Sequence, residues 1–272
     1  MKKLLVLFLS LIVVLSFAAC TTGTNTTDPT QAPADATDAP ADKTEAPADA
    51  TEALDVKSEG VMTYAEYIAA PLDSEVVVET YVQDHQSWWD NKITVYTQDK
   101  DGAYFLYELK CSEEDAAKLV PGQKIKVTGT KSEWAGEIEI AGGEFELEEG
   151  SYIAPAVDVT ELLGKDELKD YMNRKVTFKG LTIAPSLIED DETEYAFFYR
   201  SNNSGEQGDD LYFKVSINDQ TYTFTVESYL RGKDTDVYKA VEALKVGDVV
   251  DLEGYLYWYE GVNPHITAVT VK

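Results

Sequence analysis

Little in this chain suits catalysis by thiol, imidazole or metal. Its 272 residues hold two cysteines and two histidines, too few for a disulfide framework. His85 and His265 lie far apart in sequence, and Cys111 just ahead of a short helical pattern reads as a small buried residue at a strand end rather than a nucleophile. Basic side chains are scarce as well: 23 Lys and Arg face 50 Asp and Glu, a formal net charge of −27. No Lys/Arg cluster interrupts that excess. Nucleic acids draw most of their non-specific affinity from cations that replace phosphate counterions, and so acidic a chain repels them at long range. There is no phosphate loop, no Gly-x-Ser-x-Gly elbow and no His-Glu-x-x-His. Carboxylates are too numerous for any pair to stand out. The expectation is a chain without catalytic residues, metal ligands or cofactors. Asp99-Lys-Asp-Gly102 begins as a calcium loop would, but no closing Glu follows. A tight turn is expected there, with Gly102 supplying positive φ. The acidic run Glu189–Glu194 reads as a solvated loop, with a calcium ion within 189–210 left open.

Large apolar side chains are missing from residues 21–53, which are mostly Thr, Ala, Pro, Asp and Glu with an imperfect repeat (Ala32-Pro-Ala-Asp, Ala39-Pro-Ala-Asp, Ala46-Pro-Ala-Asp). Nothing there offsets the entropy of ordering, so 20–56 reads as an extended disordered linker. Proline and like charge give it a reach on the order of 100 Å. Ahead of it, Met1-Lys-Lys, an apolar run and Phe17-Ala-Ala-Cys20 form a signal-peptide pattern, too short for a stable membrane span. Phe17–Cys20 resembles the lipobox of bacterial lipoproteins, although that family usually has Leu where Phe17 stands. The resemblance implies removal of residues 1–19, acylation of Cys20 and anchorage to the lipid bilayer on the outer face of the cytoplasmic membrane. Acyl chains of that kind hold a protein stably when there are two or more.

The remainder is written twice. Gly122, Gly129 and Gly136 recur at one constant offset as Gly247, Gly254 and Gly261, and Ile125 and Val127 recur as Val250 and Leu252. Apolar–polar alternation between glycines marks a half-buried strand. A second offset relates Ile68, Leu72, Val76 and Val78 to Leu168, Met172, Val176 and Phe178. Two modules are therefore expected, 57–152 and 153–272. Each reads as strand, loop, hairpin, short helix, strand, loop, strand. The first helix is opened by a Thr63/Glu66 capping box, and the second module carries an insertion with an extra strand at 195–200. The order resembles the OB-fold, a five-stranded Greek-key barrel. The fold class expected is all-β with short helices, two tandem OB-fold-like five-stranded barrels after the disordered linker.

In that fold, two loops flank the ligand face. The resemblance places Trp88 and Trp89 in the loop between strands one and two of the first module, and Trp134 between strands four and five. All three are expected on one rim. Tyr255, Tyr257 and Tyr259 are expected on one strand face of the second module, Tyr259 at the position of Trp134, and Trp258 by parity points into the core with Val250 and Leu252. These six aromatics are the candidate ligand contacts. The function expected is a non-catalytic, surface-displayed binding protein whose partner is a glycan or a protein. The alternatives are an assembly subunit of an envelope complex, with the tryptophans buried, and a nucleic-acid or nucleotide binder, which only fold analogy suggests.

Overall fold

A computed structural model describes residues 57–188 and 192–272. The signal peptide, Cys20, the linker and the acidic residues 189–191 lie outside the described residues.

The Thr63 hydroxyl accepts from the Glu66 backbone N–H while the Glu66 carboxylate accepts from the Thr63 N–H, and this capping box opens α1 (Tyr64–Ala69). Its far end is closed by Lys131, whose buried ammonium donates to the carbonyl oxygens of Tyr67, Ile68 and Ala70 at 3.0, 2.7 and 2.8 Å. A cation placed on the last carbonyls satisfies groups that no helical bond reaches.

Strands β1 (Glu75–His85), β2 (Lys92–Gln98), β3 (Ala103–Lys110), β4 (Gln123–Trp134) and β5 (Glu137–Ser151) then close a barrel in the order β1-β2-β3-β5-β4. The α2 turn (Glu113–Ala116), N-capped by Ser112, lies between β3 and β4. Val76, Val78, Val95, Leu106, Ile125, Val127 and Ile140 fill the interior. The tight turn at Asp99 is present: one carboxylate oxygen accepts from the N–H groups of Asp101 and Gly102, the other from Lys57 and Tyr104. Gly102 does not have the expected positive φ. It is required because a Cβ there would fall 2.2 Å from the Tyr64 ring.

The second module adds β6 (Val157–Asp158), β7 (Lys175–Ala184), β8 (Phe197–Tyr199), β9 (Leu211–Ile217), β10 (Gln220–Val226), β11 (Val249–Tyr255) and β12 (His265–Val271). Here β7-β11-β12-β10-β9 closes through a β9–β7 pairing, with β6 and β8 at its margins. In each barrel one pairing is parallel, β3 with β5 and β10 with β12. The α3 helix (Asp236–Glu242) lies between β10 and β11, as α2 does between β3 and β4. The extra strand expected at 195–200 is β8. The β9–β10 hairpin turns on Asn218 and Asp219, both at positive φ, as a type I′ connection requires.

The glycine repeat has a structural cause. Gly122 (φ +91°) donates its N–H to the Val82 carbonyl in β1, and Gly247 (φ +92°) donates to Ile183 in β7. Gly129 pairs with Val76, and Gly254 with Val176. A Cβ on Gly254 would stand 2.2 Å from the His265 carbonyl oxygen, so the strand crossing admits no side chain. Of the second offset, Val76/Val176 and Val78/Phe178 hold as buried pairs. Ile68 does not match Leu168: it is exposed, and Tyr67 takes the buried place.

Candidate functional site

The two barrels belong to one compact unit and meet along a polar and aromatic seam. Tyr96 on β2 stacks on Tyr255 of β11 with ring centroids 4.6 Å apart, and its hydroxyl is 2.6 Å from His265 Nδ1. Arg231 pairs with Asp84. Gln98 Oε1 accepts the Lys175 N–H, Ile138 O accepts from Asn173, and Glu137 Oε2 accepts the Trp258 N–H. Burial pushes the Glu137 carboxyl up to about 8, although the Asn173 amide and the Trp258 N–H favour its charged form. Burial likewise holds His265 down at about 3, so its ring is neutral at physiological pH.

Beside this seam opens a cleft of about 800 Å³, within the range of small-ligand sites. The first barrel contributes Phe105, Tyr107 and Trp134, and the second contributes Tyr212, Tyr222, Tyr257 and Tyr259. Its polar lining includes Asn263, Asp210, Glu227 and Glu260, with no Lys or Arg among the lining residues. The aromatics form a connected floor: Tyr107 stacks on Phe105, Phe105 meets Tyr257 edge-on at 5.2 Å, and Tyr257 stacks on His265 at 4.3 Å. Trp134 and Tyr259 stand above it largely exposed, at 61% and 48%. The Glu260 N–H donated to the Ala135 carbonyl at 2.7 Å ties their two turns together. Burial, followed by the charge of Asp210, lifts Glu227 to about 7. Both carboxylates already accept backbone N–H groups. Glu227 accepts from the Tyr229 and Leu230 N–H groups, and Asp210 from the Ser228 N–H and hydroxyl.

The six sequence candidates divide. Trp134, Tyr257 and Tyr259 come together in the cleft, although from different barrels. Tyr255 does not join them: it is buried in the seam against Tyr96, because β11 ends there and the chain turns away. Tyr255, Tyr257 and Tyr259 therefore do not share a strand face. Trp88 leaves the rim too. It packs on the first core and donates its indole N–H to the Cys111 carbonyl at 3.1 Å. Trp89, 67% exposed, lines a separate cavity of about 320 Å³ with Gln86, Lys92, Tyr107 and Tyr229. The three tryptophans thus do not converge on one rim. Trp258 is half-buried and not in the core, where Leu256 sits instead. Its ring lies against Gly136, under the Lys169 ammonium at 5.4 Å. Cys111 is half-buried, and burial pushes its thiol pKa up, away from nucleophilic character. Tyr107, Tyr212, Tyr222, Glu227 and Asn263 were not singled out by sequence. They enter the cleft only through docking of the barrels, which no local pattern encodes.

No family model matches the chain, and no curated protein matches it in sequence. Among solved structures it is similar to a murine DNA-binding protein bound to double-stranded DNA (10% identity over 72% of this chain and 96% of that one, TM-score 0.34). It is similar also to the Ifi202 HINa domain in complex with a 20-base-pair duplex (10% identity, 73% and 98%, TM-score 0.32). A third is the p204 HINb domain (10% identity, 71% and 95%, TM-score 0.30). Scores at this level do not establish a shared arrangement of the two barrels.

Proposed function

We propose that the protein is an exported, lipid-anchored surface protein whose inter-barrel cleft binds a glycan without changing it chemically. The carrying observation is that Trp134 from one barrel and Tyr257 and Tyr259 from the other line a single cleft whose polar groups are carboxylates, amides and hydroxyls. Exposed rings offer flat apolar faces to the C–H faces of a sugar. Asp210, Glu227, Glu260 and Asn263 accept from its hydroxyls. A lining without Lys or Arg disfavours phosphate-rich ligands, DNA included. Glu227 and Asp210 are each held by a backbone N–H donor, which suits fixed acceptors for sugar hydroxyls. The anchor and the spacer rest on the sequence of residues 1–56. Acylated Cys20 would hold the chain at the outer face of the cytoplasmic membrane, and residues 21–56 would carry the barrels outward.

Calorimetric titration with β-1,4-linked N-acetylglucosamine oligomers tests the reading. Binding lost in Trp134→Ala and Tyr259→Ala, with melting temperatures held and the sugar recovered intact, supports it. Absence of binding in the unaltered protein refutes it and turns the same aromatic surface toward a protein partner.

A further inference from the structure

The large cleft and the 320 Å³ cavity are neighbours: Gln86 and Tyr107 line both, so the two share a wall. Exposed rings line both: Tyr259 and Trp134 in the cleft, Tyr107 at the shared wall, Trp89 and Tyr229 in the far cavity. The Tyr107–Phe105–Tyr257–His265 floor runs beneath the cleft. The far cavity has the same chemistry. Its one cation, Lys92, is committed to Glu108 at 2.8 Å and lies 5.9 Å from the Trp89 ring. Trp89 itself is posted there by a tight turn in which its N–H and carbonyl both bond to Lys92. Tyr229 is held by its carbonyl, which accepts the Ser87 N–H across the barrels. Two large rings thus stand exposed beside a cleft already lined with rings, each on backbone held by hydrogen bonds.

Resting on the glycan reading of the cleft, we infer that the ligand is a linear, uncharged or amino-bearing oligosaccharide long enough to occupy both cavities. Trp89 and Tyr229 form a second subsite beyond Tyr107. Affinity then depends on chain length, because each added sugar that reaches a ring adds contact without a second loss of translational freedom.

The test uses the full chain in detergent micelles, titrated with chitobiose, chitotetraose and chitohexaose. The expected result is affinity rising on the order of tenfold or more from disaccharide to hexasaccharide. Trp89→Ala and Tyr229→Ala should each remove most of that rise, leaving disaccharide affinity and melting temperature unchanged. Trp134→Ala should weaken all three sugars. Equal affinity for all three, lost in Trp134→Ala but not in Trp89→Ala, overturns the second subsite and leaves the cleft reading intact. Failure of every sugar to bind overturns both.

Discussion

The Tyr96 hydroxyl of the first barrel lies 2.6 Å from Nδ1 of His265 in the second, and both side chains are buried. The hydroxyl is the partner that the structure gives His265 Nδ1, so Tyr96→Phe strands the imidazole nitrogen away from water. The expected cost is about 1–3 kcal/mol, measured by urea denaturation, with ring stacking on Tyr255 retained.

His265 also gives the seam an acid limit. Its folded pKa, about 3, lies below its ordinary 6.5. Below pH 6.5 the unfolded chain takes up a proton that the folded chain refuses. This contribution is complete above pH 6.5 and is lost as pH falls toward 3. Glu137 acts in the opposite sense: with its carboxyl raised from 4.5 to about 8, its contribution is complete below pH 4.5 and is lost as pH rises through 8. Glu137→Gln, which keeps an acceptor for the Trp258 N–H, should flatten the decline between pH 4.5 and 8. Denaturation midpoints across that range check it, and an unchanged slope contradicts the assignment.

Lys131→Met should cost about 3 kcal/mol. It keeps the length of the side chain but leaves the three carbonyls at the end of α1 without their charged donor. The loss should show in thermal melting and as faster hydrogen exchange in α1.

The glycine repeat predicts a graded series. Gly254→Ala meets backbone, the His265 carbonyl, and should cost about 3 kcal/mol or prevent folding. Gly129→Ala meets the Ile140 Cγ2 methyl at 2.5 Å, on a β-branched side chain stiff at χ1, with the Gly143 Cα at 3.2 Å, and should cost about 2 kcal/mol. Gly247→Ala has open space and only its φ of +92° to strain it, for about 1 kcal/mol.

These glycines show why the barrels were legible in the sequence. A strand crossing that excludes any Cβ, or a turn that needs positive φ beside an alternating run, leaves a mark at fixed residues, and the chain carries it twice. Trp134 was legible for a similar reason, as a large ring in a polar turn. The rest of the site was not. Tyr107, Tyr212 and Tyr222 alternate along strands as many core tyrosines do, and only the seam decides that they face a cleft. Tyr255 and Trp258 were misplaced because parity was carried past the end of β11, where the Tyr257 N–H turns back to the Tyr255 carbonyl. Trp88 and Trp89 are adjacent in sequence, yet the turn from Trp89 to Lys92 sends one ring inward and the other into water.

That the barrels share one ligand cleft is tested most directly by intrinsic tryptophan fluorescence of the full chain with acrylamide. In a Trp89→Phe background, which removes the other largely exposed tryptophan, the quencher should reach Trp134 in the free protein, and chitohexaose should relieve that quenching. The relief should vanish in Trp134→Phe and also in Tyr259→Ala, whose substitution lies on the opposite barrel. Tryptophans whose quenching no sugar changes, or relief that survives Tyr259→Ala, would contradict a cleft built from both barrels.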